Sequence, residues 1–123
     1  NVTFDTFVVL TADGFKDIIK DAKLVSSHME LAITKGLFRI RAHGDGSETV
    51  AEFDAGNDVL EQINSKTEVK ATFPLQYLEN MVKGCPSAQK VSLFIETDKP
   101  LKMSYSLGGA LVTYYLAPRI EIE

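Results

Sequence analysis

The sequence predicts an α+β domain, an antiparallel sheet with two helices on one face. Two stretches carry apolar residues at helical spacing: Phe15, Ile18, Ile19, Ala22 and Val25, then Leu75, Leu78 and Val82. Nearly all the remaining segments are short and rich in β-branched and aromatic residues, as strands are. Glycine-bearing turns separate many of them, as hairpins require. The resulting order is strand, helix and a run of strands, followed by a second helix and a second run. It outlines an internal repeat of roughly 60 residues in pattern, with little residue identity behind it.

Residues 2–10 open the chain as a strand on Phe4, Phe7 and Val9. Thr11-Ala12-Asp13-Gly14 changes the period, with Thr11 or Asp13 suited to cap a helix that runs from Phe15. Residues 28–34, 37–43 and 48–54 read as three strands, turned by Lys35-Gly36 and Gly44-Asp45-Gly46. Residues 59–63 fit strand or loop equally well. A strand over 69–73 leads into a helix over 75–83, with Pro74 at its first position and Gly84 and Pro86 ending it. Residues 91–97 and 101–107 are strands around Asp98-Lys99-Pro100, and Gly108-Gly109 turns the chain into a last strand over 110–116. The tail from Pro118 to Glu123 has neither turn nor helix signal and is expected to run extended.

With 123 residues, 45% hydrophobic and 24% charged, the chain has the length and balance of one globular domain with a real core. No run approaches the roughly 18 apolar residues of a membrane helix, and no signal-peptide pattern opens it. The first residue is Asn1 rather than Met, which points to a trimmed fragment. A single cysteine, Cys85, excludes an internal disulfide and suits a reducing compartment. Asn1-Val2-Thr3 matches a glycosylation sequon formally, with nothing else in the sequence pointing to secretion.

The catalytic inventory is poor. His28 and His43 lack a cysteine partner or a metal-binding spacing, and Cys85 has no neighbouring base. Neither glycine cluster follows a strand and opens a helix, so neither has the context of a phosphate cradle. The residues argue for no enzyme, no metal and no cofactor.

A net charge of −4 speaks against nucleic-acid binding until the distribution is considered. On a helical wheel with Phe15 at zero, Lys23, Lys16 and Lys20 fall at about 80°, 100° and 140°, while Asp17 and Asp21 fall at about 200° and 240°. The charges are sorted by sign. They fit an ordinary solvated face, with Asp17 and Lys20 paired, or a lysine row turned toward a polyanion. Lys83 lies on the polar side of the second helix with Gln76 and Asn80 and could extend such a row. Tyr77 points away from that helix's core face. With Pro100 and the segment 115–118 it could build a shallow apolar groove, or be scattered surface residues.

The ending Leu111-Val112-Thr113-Tyr114-Tyr115-Leu116-Ala117-Pro118-Arg119-Ile120-Glu121 resembles the closing strand and tail of PCNA-type DNA sliding clamps. Asp13–Ala22, Ala71–Leu78 and Lys99–Tyr105 are similar to that family in order and spacing. The resemblance covers essentially the whole chain, and the short Ile-Glu ending looks archaeal. It implies a DNA-clamp fold, with residues 1–123 as the carboxy-terminal half of a subunit whose first domain and connector are absent.

The same resemblance implies a function. Such a clamp is a processivity factor and no enzyme. Three subunits close into a ring around duplex DNA, without sequence preference, and tether partners. On that model Lys16, Lys20, Lys23 and Lys83 face DNA, with Lys20 and Lys83 the best matches. Tyr77, Pro100, Tyr115, Leu116, Ala117, Pro118, Arg119 and Ile120 form part of a groove for a peptide of the form Gln-x-x-aliphatic-x-x-aromatic-aromatic. DNA polymerase, flap endonuclease, ligase and clamp loader carry such peptides. Pro74 stands where many relatives have a small residue near the groove floor. Glu48, Thr49, Val50, Ala51, Glu52 and Phe53 match the strand that pairs with the next subunit. The expected compartment is the archaeal cytoplasm and nucleoid, or the nucleus of a eukaryote. A checkpoint-type clamp subunit, or an unrelated small α+β binding domain, is the alternative.

Overall fold

The computed structural model describes residues 6–119. Its elements are β1 (Phe7–Thr11), α1 (Ala12–Lys23), β2 (His28–Thr34), β3 (Leu37–Gly44), β4 (Ser47–Phe53), β5 (Leu60–Asn64), β6 (Val69–Pro74), α2 (Leu75–Val82), β7 (Lys90–Phe94), β8 (Leu101–Leu107) and β9 (Ala110–Leu116). The α+β class read from the sequence holds. The antiparallel strands, however, divide into two sheets where the sequence pattern suggested one. These are a five-stranded sheet in the order β5-β1-β7-β8-β9 and a four-stranded sheet in the order β4-β3-β2-β6.

Local chemistry accounts for most boundaries. Helix α1 starts at Ala12, earlier than the apolar spacing indicated, because Thr11 takes the cap: its Oγ1 accepts from the Gly14 N–H at 3.2 Å. It ends before Val25, which lies beyond the helix and is half-buried. Pro74 is the extended cap of α2 (φ −68°, ψ 129°) and not its first helical residue, since it still pairs with His28 in the sheet. Lys83 caps the other end, donating its N–H to Glu79 O.

The ambiguous segment near residue 60 is an edge strand whose pairing with β1 shifts register between Val9 and Leu10. The strand expected over 91–97 leaves the ladder at Phe94, although Ile95 N–H still donates to Thr6 O at 3.1 Å. The part of the first expected strand before Thr6 lies outside the described residues.

One core joins everything. Alternate positions of both sheets, among them Leu10, Leu31, Ile33, Phe38, Ile40, Leu93 and Met103, are buried against Phe15, Ile19 and Ala22 of α1 and Leu75, Leu78 and Val82 of α2. The two helices also touch each other. Tyr105 crosses toward the second helix and donates its buried hydroxyl to Met81 O at 2.9 Å.

Candidate functional site

The sorted charges of α1 face α2 across a cleft of about 410 Å³. Its lining includes Lys16, Asp17, Lys20, Glu79, Asn80 and Lys83. The four lysines are not equivalent there. Lys16 Nζ donates to Cys85 O at 2.6 Å, and Lys23 Nζ pairs with Glu79 at 2.7 Å. Both therefore tie α1 to the second helix and its C-terminal turn. Lys20 and Lys83 are exposed and make no ion pair with any described residue; the Asp17–Lys20 pair suggested by the sequence is not formed. Buried beside Lys16, the Cys85 thiol has its pKa raised by desolvation, and the nearby ammonium offsets only part of that. It is a packing residue.

A second surface gathers where the chain ends. Leu101 pairs with Leu116, which places Pro100 beside Ala117. The tail then leaves the five-stranded sheet and bridges to the other one: Arg119 N–H donates to Thr72 O at 2.7 Å. Thr72 lies on β6, which runs straight into α2 and the exposed Tyr77. Pro100, the 116–119 tail and the start of α2 thus belong to one region, although they are distant in sequence. Ile120 lies outside the described residues.

Strand alternation separates two neighbours of this set. Leu116 packs toward the core, whereas Tyr115 lies on the opposite face of its strand and is 65% exposed. Tyr115 ends a row that sequence reasoning missed. Phe7 pairs with Phe94, Phe94 with Lys102, and Lys102 with Tyr115, straight across four strands. The Phe7 and Phe94 rings are 5.4 Å apart, and Lys102 Nζ sits 5.1 Å from the Phe94 centroid. Only the register could have revealed this row, because its members come from four separated segments.

Strand β4, carrying Glu48 to Phe53, is an edge of the four-stranded sheet, and none of its residues is fully buried. Val50 is its large exposed apolar side chain. Strand β9, of equal length, is an edge of the other sheet and exposes Leu111 and Tyr115.

Two compact sheets, a shared helical layer and a tail laid across both sheets define a clamp-type domain. Residues 1–120 match the family of the proliferating cell nuclear antigen, C-terminal domain, and the chain belongs to that family. It is 30% identical over 98% of its length to a DNA polymerase sliding clamp of Methanococcus maripaludis, and 35% identical over 94% to one of Methanocella arvoryzae. The chain spans about half the length of these relatives, 50% and 47%. Among solved structures it superposes with TM-score 0.88 and 26% identity on PCNA from Thermococcus kodakaraensis, covering 97% of this chain and 49% of that one. It superposes with TM-score 0.90 and 30% identity on A. fulgidus PCNA bound to the C-terminal region of FEN-1, covering 100% of this chain and 50% of that one.

Among the described residues no group of histidine, cysteine and carboxylate side chains could hold a metal ion, and no helix is long and apolar enough to cross a membrane.

Proposed function

We propose that this domain is the carboxy-terminal half of a replicative clamp subunit that closes, three to a ring, around duplex DNA and tethers replication and repair proteins to it. The ring works by topology: once closed, it cannot leave the duplex, so its contacts need be neither tight nor sequence-specific. Lys20 and Lys83 suit that task. They are exposed, flank one cleft and have no acidic partner in an ion pair among the described residues. Contacts of lysine with phosphate are weak, sequence-independent and strongly salt-dependent, which allows sliding. Lys16 and Lys23 add positive potential and also hold the two helices together.

The observation that carries the tethering half is the tail anchored at Thr72. It fixes Ala117 and Pro118 beside Pro100 and near the start of α2, on a surface where Tyr77 is 56% exposed. In this reading the surface is one wall of a groove for a Gln-x-x-aliphatic-x-x-aromatic-aromatic peptide, and Tyr115 rather than the inward-packed Leu116 gives the strand's apolar contact. Pro74, next to the bridge, shapes the floor. Polymerase, flap endonuclease, ligase and clamp loader are the partners, and chromosomal DNA in the cytoplasm of an archaeal cell is the setting. The C-terminal region of FEN-1 bound to the similar A. fulgidus PCNA supports this choice. Chemistry is left to the tethered enzymes.

The test is a calorimetric titration of such a peptide into a clamp subunit carrying this domain. Tyr115→Asp combined with Pro118→Glu should weaken binding at least tenfold, the loss of about 1.4 kcal/mol or more expected for a central apolar anchor. Unchanged affinity in a folded double variant would mean the groove lies elsewhere.

A further inference from the structure

A cavity of about 340 Å³ opens on the outer face of the four-stranded sheet, under the tail crossing. Its walls follow from register. Glu30 pairs with Arg41 on one side and Thr72 on the other, so the three lie in one row. His28 and His43 lie two residues along from Glu30 and Arg41 and share that face. Arg119, held over Thr72 by its backbone, completes the cavity from above.

The cavity has more donors than acceptors. Arg119 makes no ion pair with any described residue, and neither does Glu30. Arg41 Nε has no hydrogen-bond partner among the described residues and makes a long ion pair, 3.6 Å, with Glu48. Two guanidinium groups in the lining, Arg41 and Arg119, against one carboxylate, Glu30, favour an acceptor-rich anion, and the planar fork of arginine matches a carboxylate best. A cavity of this size takes one such side chain with water. Arg119 of its lining directly follows Ala117 and Pro118 of the proposed groove, which sets the cavity next to that groove.

We infer that this cavity, through Arg41 and Arg119, receives an acidic side chain that flanks the groove-binding motif of a partner peptide. The inference rests on the groove reading above and adds a determinant that selects among partners: those with an aspartate or glutamate just outside the motif.

The experiment uses two peptides of the Gln-x-x-Leu-x-x-Phe-Phe form, one flanked at both ends by aspartates and one by asparagines, titrated into a clamp subunit carrying this domain. The aspartate peptide is expected to bind about tenfold more tightly at low salt. Arg41→Gln should abolish that preference while leaving the asparagine peptide's affinity unchanged. His43→Ala, which keeps both guanidiniums, should retain it. Equal affinity for the two peptides would overturn this inference and leave the groove standing. A preference that survives Arg41→Gln would overturn it too, by placing the acidic residue elsewhere. Binding of neither peptide would overturn the groove reading and this one with it. A third peptide flanked by phosphoserine, preferred over asparagine where aspartate is not, would assign the cavity to a phosphorylated partner instead.

Discussion

The backbone N–H of Arg119 lies 2.7 Å from the carbonyl oxygen of Thr72, joining the segment after β9 to a strand of the other sheet. This hydrogen bond sets the position of Pro118, and with it the wall that the proposed partner peptide would use. It also brings the Arg119 side chain close enough to His28 to add to the desolvation that lowers the histidine's pKa.

Gly14 should not tolerate a side chain. A Cβ there would lie 2.7 Å from Thr11 Oγ1 and 2.8 Å from both methyls of Val59. Gly14→Ala would gain about 1 kcal/mol of helix propensity but disturb both the cap and the packing of the loop before β5, which costs about 1–3 kcal/mol. The expected result is a lower Tm in thermal unfolding. A higher one would mean that Val59 moves aside freely.

Tyr105 should matter for stability, and its effect should depend on pH. Burial first, then its interaction with Tyr114, pushes its pKa up from 10.0 to about 12. A phenol whose folded pKa exceeds its unfolded value contributes stability below the unfolded pKa and loses it as pH rises toward the folded one. Urea unfolding should therefore show stability falling between about pH 10 and about pH 12 beyond the loss seen in Tyr105→Phe. At neutral pH that variant leaves the Met81 carbonyl without its donor, at a cost of about 1–2 kcal/mol. Identical pH profiles for the two proteins would contradict this assignment.

Charge reversal at Lys20 and Lys83 should weaken DNA binding by a clamp subunit carrying this domain without disturbing its fold, since neither residue is in an ion pair with any described residue. The slope of log affinity against log salt should become shallower by about 0.9 for each phosphate that no longer meets a lysine. Reversal at Lys23 should instead lower the melting temperature, because it puts a carboxylate against Glu79. Wild-type salt dependence in the Lys20/Lys83 variant would reduce the row to a solvated face.

The 123-residue chain alone should be a monomer or a weak dimer. Its β4 edge exposes one large apolar side chain, Val50, and turns Glu48 and Glu52 outward, so pairing between two copies of β4 brings like charges together. Sedimentation showing a stable trimer of this chain would refute the expectation.

Much of this architecture could be read from the sequence, for identifiable reasons. Strands β2, β8 and β9 match their expected limits because Lys35, Gly36, Gly108 and Gly109 all take positive φ in the tight turns beside them. Segment 59–63 is ambiguous in sequence because β5 is short, irregular and on an edge, where alternation is weakest. The division into two sheets was not legible: alternation reports which face a residue takes, whereas pairings such as β1 with β7 join segments more than 70 residues apart. The site divides along the same line. The lysine row appears on a helical wheel, but the partners of Lys16 and Lys23 come from α2 and its C-terminal turn. The row from Phe7 to Tyr115 and the cavity beside Arg41 exist only once the register is known.

The two long open edges, β4 and β9, belong to different sheets. In the proposed ring, a join of β4 to an edge of a different kind, on the other half of the next subunit, has a direction, like the hook and eye of a necklace. Each join consumes one of each kind and leaves one of each kind at the ends of the assembly, so adding units never satisfies the last pair. Only curvature can end such a series, by bringing the first unit round to the last. In the proposed ring, the turn between successive domains would therefore fix both the number of units and the diameter of the hole.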